Sequence, residues 1–583
     1  MFKVKSFKKN HPNPSFYRSD YIILDGMWDF CFDYHNQGRI KGFHKNFPIS
    51  DKINVPYSYL SKSSNINIQT RCDHVWYHRI IDHSIDENYR TFIIFEGSDY
   101  KTTLYINGKY VGKNIGGYHR FSFDITDYLK EGDNDITVKV SDNMSILKVR
   151  GKQRFRKNNF WCWYEETTGI WKTVWLEKRP NTYIDSIKLT PSFKTKSFKL
   201  ELTSNEIINN LSIKVNYKNT LVYNVTNLRS LSNEIEVVIP LSVNFHPWDI
   251  LKPNLYDIEL KLASNILRRG IPKEYTDTVL SYIGIRDIYT KENKIYLNDH
   301  PIYQKLILDQ GYIDNGDMTM TDEELEFDIN AMIEMGFNGA RKHQKIEIEK
   351  YYSYADFYGY LVWLEMPSMY LTLISSAKRF MKEWSEILKQ FYNHPAIITY
   401  TPFNESWGIW GIDRSDPGTK LFVKKVYDLT KSYDSTRLVT TNDGWSHLNS
   451  DIITLHLYNQ DKESLKYDID RAFNENFVNY KKGRKFVLKR EYLFNKPVIL
   501  DEFGGTSFLE ENKVTFGYGD DCKTLDEFEN RLKDLFSLIL DDNRFVGYCY
   551  TQLSDVRQEM NGLYTMDRKI KIPSDIMKDI QRS

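Results

Sequence analysis

The stretch Ala396-Ile-Ile-Thr-Tyr-Thr-Pro-Phe-Asn-Glu-Ser-Trp-Gly408 opens as an apolar run and ends abruptly in a carboxylate, Glu405. Such a run reads as a buried strand. A glutamate at its mouth loses water around its charge, which is costly or raises its pKa unless something compensates. The position calls for a partner or a function.

Around this stretch, from residue 289 onward, helical patterns alternate with short apolar runs, the signature of βα units. Thr321 with Glu324 spells a capping box, Leu325, Ile329, Met332 and Ile333 share one apolar face, and Gly336 marks a stop. That pattern predicts a helix. The strand candidates are Tyr303 to Leu308, Asn338 to Lys342, Leu361 to Leu364, Ala396 to Phe403, Leu438 to Thr441, Ile452 to Leu457, Val498 to Leu500 and Phe545 to Leu553. Eight strands with intervening helices in about 290 residues match a (β/α)8 TIM barrel, whose usual size is about 250 residues.

Active sites of such barrels sit where the strands end. The residues there are Asp309, then Arg341 and His343, Glu365, Asn404 and Glu405, Asn442 and Asp443, His456 and Tyr458, Asp501 and Glu502, and Gln552. Any one of these is readily a solvated cap, but a polar residue at all eight termini is not a chance pattern. Glu405 and Glu502 end the fourth and seventh strands, on opposite sides of the mouth. Two carboxyls facing each other across a pocket suit glycoside hydrolysis, one protonating the leaving oxygen and one attacking or activating water. Strand alternation turns Asp501 away from Glu502.

Up to residue 180 the pattern is short alternating segments, with Asn107-Gly108 as a hairpin signal, and it predicts an all-β sandwich. Trp28, Trp76, Tyr77, Trp161, Trp163 and Trp171 are expected to fill its interior. From 181 to 288 plainer alternation predicts an immunoglobulin-like sandwich of about seven strands, with no cluster of chemical residues. The expected division is 1–180, 181–288 and 289–583.

Lysine plus arginine (79) balances aspartate plus glutamate (78), so no global field draws nucleic acid or an anionic membrane. The N-terminus lacks the apolar run of a signal peptide and no later run is long enough to span a bilayer, which points to a cytoplasmic chain. Five cysteines without a Cys-x-x-Cys pair argue for reduced thiols and against a zinc site. No metal or other cofactor is expected, and self-association into a homo-oligomer stays open.

Asn404-Glu405-Ser-Trp-Gly408, with the later Asp501-Glu-Phe-Gly504, resembles the acid/base and nucleophile pair of family 2 glycoside hydrolases. Leu24-Asp-Gly-Met-Trp-Asp-Phe30, Val75-Trp-Tyr-His-Arg79, the Asn107-Gly108 hairpin and Thr167-Thr-Gly-Ile-Trp171 are similar to that family's sugar-binding jelly-roll. Pro253-Asn-Leu-Tyr256 and Gly284-Ile-Arg286 resemble its immunoglobulin-like domain and the entry to its barrel. The resemblance implies that Glu405 is the acid/base and Glu502 the nucleophile, that Asn404 holds the hydroxyl beside the anomeric carbon, and that Tyr458 bonds the nucleophile. It also implies sugar contacts or charge stabilisation by Asp309, Arg341, His343, Trp445, Gln552 and Asn561. The bland readings are that Arg341 pairs with an internal acid and that His343 is a satisfied interior histidine. Glu365 either lines the pocket or pairs with Arg341.

Asp309 and Gln310 stand where β-galactosidases of the long type place histidines, and the segment lacks the acidic pattern of a magnesium or sodium site. Family glucuronidases hold the uronate with an Asn-x-Lys motif, and here Glu559-Met-Asn561 occupies that place. The expectation is a retaining, exo-acting β-glycosidase for a terminal neutral sugar, with a β-galactoside favoured. The alternatives are a β-glucuronidase, β-mannosidase or arabinosidase, or a carbohydrate-binding protein that lost catalysis.

Overall fold

The computed structural model of the protein describes residues 11–241, 245–268, 271–414, 416–474, 485–488, 493, 495–508 and 516–582. The N-terminal stretch read for charge and hydropathy, residues 1–10, lies outside the described residues.

The eight expected parallel strands form one sheet: β1 (Gln304–Asp309), β2 (Gly339–Lys342), β3 (Leu361–Glu365), β4 (Ile397–Thr401), β5 (Leu438–Val439), β6 (Ile453–Leu457), β7 (Val498–Gly504) and β8 (Phe545–Thr551). Their order is β5-β4-β3-β2-β1-β8-β7-β6, so the two ends of the run are themselves consecutive in the chain. At that seam the Asp451 N–H donates to the Val439 carbonyl (2.8 Å) and the Gly444 N–H to Thr454 Oγ1 (2.9 Å). This is the TIM barrel the strand count predicts. Every residue of β2 through β7 is buried, as strands covered on both faces require.

Helix α1 (Asp322–Glu334) starts on the predicted capping box, with Thr321 and Glu324 each accepting the other's backbone N–H. Leu325, Ile329 and Met332 are buried beneath it, and Gly336 follows its end at φ +93°.

Before the barrel lie two sandwiches. In the first, a six-stranded antiparallel sheet faces a four-stranded one, with Trp28, Phe30, Val75, Tyr77, Ile93, Phe95 and Val138 between them. Asn107 and Gly108 turn the hairpin at φ +50° and +74°, the left-handed pair that a tight hairpin demands. In the second, a three-stranded and a four-stranded sheet enclose Leu200, Ile213, Val215, Ile258 and Leu260, giving the seven expected strands.

The first sandwich also sends an arm over the barrel. Arg150 and Gly151 donate backbone N–H groups to the Ser368 carbonyl (2.9 and 3.0 Å), and Gln558 Nε2 donates to the Trp161 carbonyl (2.7 Å). The expected core set is therefore corrected: Trp161 is 61% exposed on this arm, Trp163 packs with Tyr370 and Trp407, Trp171 joins the barrel's core and Trp76 packs with Cys31 and Tyr105, which leaves Trp28 and Tyr77 between the two sheets. Among the described residues no helix is long and apolar enough to cross a membrane.

Candidate active site

Why the strand stops at Glu405 is visible in its backbone. A short extension, Phe403–Asn404, pairs in parallel with Asn442–Asp443 beyond β4 and β5. Glu405 and Ser406 then turn sharply at φ +51° and +60°, a region that residues other than glycine rarely occupy. The turn is held by hydrogen bonds from Glu405 N–H to the Asp443 carbonyl (3.0 Å), Ser406 N–H to Asn442 Oδ1 (2.9 Å) and Trp407 N–H to the Asn404 carbonyl (2.9 Å). Such strain costs on the order of 1–3 kcal/mol and survives where surrounding contacts over-determine it, as at active sites.

Glu502 faces Glu405 from β7. Arg341 Nη1 donates to its Oε1 at 2.6 Å, and the Tyr458 hydroxyl donates to its Oε2. Burial alone would raise the Glu502 carboxyl; His456 and Arg341 outweigh it and hold the group far below the usual carboxylate range. An oxygen of Glu405, a ring nitrogen of His456 and an oxygen of Glu502 all lie within 4.8 Å of one another.

Arg341 pairs with several internal acids. Besides Glu502 it reaches Glu365 Oε2 (2.8 Å), Asp443 Oδ2 (2.6 Å) and Asn404 Oδ1 (2.6 Å), all from a fully buried guanidinium. Glu365 thus pairs with Arg341, and burial countered by Arg341 and His343 leaves its pKa at about 2. His343 Nδ1 lies 3.3 Å from Glu365 Oε2, and burial lowers its imidazole pKa. With its oxygen held by Arg341, Asn404 keeps a buried Nδ2 with no partner among the described residues, a donor ready for a hydroxyl.

Tyr458 stacks on Tyr518 with ring centroids 3.6 Å apart, and Trp445 lies edge-on to His456 at 5.6 Å. Gln552 takes a bond from Gln310 (2.7 Å) and gives one to Asn561 Oδ1 (2.6 Å), while Glu559 Oε2 accepts from Tyr164 and from Gln310 (3.3 Å). Asp309 is not brought to these groups: its oxygens are taken by Lys342 Nζ (2.8 Å) and the Gly311 N–H (2.7 Å).

Four features escaped the sequence. His456 bridges the two glutamates. Asp501 does not turn away to a separate face: register shifts in β6 and β7 bring its Oδ1 to 3.3 Å from His456 Nε2. Asp443 stands nearby; burial raises its carboxyl well above the ordinary range, Arg341 opposing and Asp501 adding to the rise. Lys152, on the arm from the first sandwich, is buried between Cys162 and Trp407, its ammonium 5.1 Å from the Trp407 ring. Among the described residues two groups bring possible ligand atoms within 4.8 Å of one another, Glu405 with His456 and Glu502, and Asp443 with His456 and Asp501. Burial would lower the His456 imidazole, but Glu502, Asp501 and Glu405 raise it well above its ordinary value.

A cavity of about 490 Å³ opens from Glu405, lined by Trp161, Cys162, Trp163, Trp407, Trp445, His456 and Tyr458 among others. The arrangement offers two close carboxyls, one held ionised, at the foot of an aromatic cleft.

The chain resembles known proteins over nearly its whole length. It is 27% identical over 404 residues to a putative beta-glucuronidase of Formosa agariphila, covering 66% of this chain and 47%, about half, of that relative. It is 22% identical over 622 residues to the beta-glucuronidase of Chlorocebus aethiops, covering 95% and 90% of the two chains. The Ruminococcus gnavus b-glucuronidase solved with D-glucuronic acid shares its fold, with a TM-score of 0.78, 18% identity and coverage of 99% and 100%. Two family models match: "Glycosyl hydrolases family 2, sugar binding domain" over residues 22–180, and "Glycosyl hydrolases family 2, TIM barrel domain" over 288–582. The chain belongs to glycosyl hydrolase family 2.

Proposed function

We propose that this family 2 glycosidase is a retaining, exo-acting enzyme that removes terminal β-glucuronic acid. Glu405 gives its proton to the glycosidic oxygen while Glu502 attacks the anomeric carbon, so the C–O bond to the aglycone breaks as an ester to Glu502 forms. Glu405, now a carboxylate, takes a proton from water as that water attacks the same carbon and frees Glu502. The short reach between the two carboxyls supports this double displacement, which operates at about 5–5.5 Å, whereas inversion needs about 6.5–9.5 Å. Asn404 Nδ2 is placed to hold the neighbouring hydroxyl.

Lys152 carries the assignment of the sugar. Its ammonium is buried, shares a hydrogen bond with Cys162 and has no carboxylate ion pair among the described residues. Burial, only partly relieved by Lys152, pushes the Cys162 thiol up to about 12, so that partner is neutral. Burial would lower the lysine, and the neighbouring carboxylates of Glu559, Glu502 and Glu405 act to raise it. A buried cation with no carboxylate paired directly to it among the described residues is costly, and a uronate carboxylate would complete it. The names of the relatives above point the same way.

This reading replaces the neutral-sugar expectation, which rested on Glu559 and Asn561 standing where an Asn-x-Lys motif was sought. That observation still favours a second reading, a β-galactosidase, because Glu559 is buried and repels a uronate brought near it. The two are separated by kcat/KM for 4-nitrophenyl β-glucuronide against the β-galactoside and β-glucoside. A glucuronide preference of about tenfold or more supports the proposal; a neutral-sugar preference of that size overturns it.

A further inference from the structure

The cavity beside Glu405 is asymmetric. Around Glu502 lie Arg341 and Tyr458, both polar, and His456 stands between the two glutamates, whereas on the Glu405 side the arm contributes Trp161 and Trp163 and the barrel contributes Trp407. An acid that protonates the glycosidic oxygen stands on the side of the departing group, so whatever lies beyond that oxygen rests against these indoles.

Trp161 is the unusual member. It is 61% exposed, and its backbone sits at φ +46°, in the left-handed region that a bulky residue occupies only under constraint. Its carbonyl is fixed by Gln558 Nε2 at 2.7 Å. Trp163 is rigid: Phe160 stacks on it at 5.0 Å and 17°, its Nε1 donates to the Tyr370 hydroxyl at 2.5 Å, and its ring lies 5.3 Å from that of Trp407. The Trp161 ring meets those of Phe160 (6.1 Å) and Trp163 (6.2 Å) on the arm itself. Strain that presents a ring to a cleft is characteristic of a binding surface.

Resting on the glycosidase reading above, we infer that Trp161 and Trp163 form a subsite for the leaving group that stacks on a planar aromatic aglycone, while the Trp407 ring carries the Lys152 ammonium. The indole faces supply apolar and π contact with few rotamers to freeze. A second sugar would need hydrogen-bonding groups at the same wall. Of the polar residues lining the cavity, Glu405, His456 and Tyr458 belong to the reaction centre, Tyr518 stacks on Tyr458, Asn459 donates to Asp468 at 3.0 Å, and the Cys162 thiol is poorly suited to hydroxyls.

The test compares wild type with Trp161→Ala and Trp161→Gly on a 4-methylumbelliferyl β-glycoside and a methyl β-glycoside of whichever sugar the enzyme hydrolyses fastest. This keeps the result separate from the identity of the glycone. The glycine variant also relieves the backbone strain, so loss of fold does not explain its behaviour. Both variants are expected to lose about tenfold in kcat/KM on the aryl glycoside, mostly through KM, and at least about fivefold less on the methyl glycoside. Equal losses on the two substrates, or no loss on either, overturn the inference. So does a larger loss on a disaccharide with the same terminal sugar than on the aryl substrate. If no glycoside is turned over, calorimetric binding of 4-methylumbelliferone decides: weaker binding by Trp161→Gly supports the subsite and unchanged binding overturns it.

Discussion

His456 Nδ1 lies 2.9 Å from Glu405 Oε1, and the same nitrogen is 3.3 Å from Glu502 Oε2. One ring thus ties both glutamates together, with Asp501 steadying its far side. Burial would lower this imidazole, but Glu502, Asp501 and Glu405 hold it well above its ordinary value.

His456→Asn should therefore lower kcat/KM by roughly 100-fold, since the charge that keeps Glu502 ionised and in place is lost. A group raised on folding contributes stability below its unfolded pKa of about 6.5 and loses it as pH rises through the folded value. The stability gap between wild type and His456→Asn, measured by urea denaturation, should be widest below about pH 6.5 and close at strongly alkaline pH. A gap that widens with pH would contradict the imidazolium.

Arg341→Lys should fold poorly and lose most activity. One guanidinium serves Glu502, Glu365, Asp443 and Asn404, and a lysine cannot fork to that set. Leaving buried carboxylates without their partner costs about 3–5 kcal/mol. Thermal melting should show a clear fall in Tm, and Asn404→Ala, which removes no charge, a smaller one.

Lys152→Met should discriminate between sugars. Loss of a charge-assisted bond to a uronate is worth about 3 kcal/mol, so kcat/KM on the β-glucuronide should drop by roughly 100-fold. On neutral glycosides the change should stay within roughly threefold. Parallel losses on both would assign Lys152 a structural role.

A stability optimum is built in far from the pocket. His394 donates to Asp356 (2.6 Å) and Glu349 (2.9 Å) in the fully buried interior. Burial would depress the imidazole, yet Asp356 and Glu349 raise it to about 9; burial would raise Glu349, yet Arg120 and His394 lower it to about 2. The Glu349 share is complete above about pH 4.5 and lost as pH falls toward 2, and the His394 share is complete below about pH 6.5 and lost as pH rises through 9. Relative to His394→Gln, wild type should be most favoured between those limits, and the advantage should shrink by on the order of 3 kcal/mol by about pH 9.5. Denaturation series at pH 5.5, 7.5 and 9.5 test this.

Local pattern carried much of this architecture. The capping box of α1, the Asn107-Gly108 turn and the ring of polar strand ends are all written within a few residues of each other. What was hidden depends on long-range contact or irregular register. Tyr164 and Glu559 bond across 395 positions, and the arm bearing Lys152 and Trp161 meets the barrel only in the folded chain. Alternation misplaced Asp501 because β7 does not keep a regular register with its neighbours. Trp161 looked like core because composition does not show that its backbone is turned outward.

The division of labour between Glu405 and Glu502 is the central claim, and the most direct measurement is the configuration of the first-formed product. Proton NMR should be recorded during hydrolysis of the best 4-nitrophenyl β-glycoside, before mutarotation mixes the anomers. Double displacement predicts the β-anomer first, and Glu405→Ala with added azide should give the β-glycosyl azide while Glu502→Ala with azide should not. An α-anomer appearing first would contradict the account.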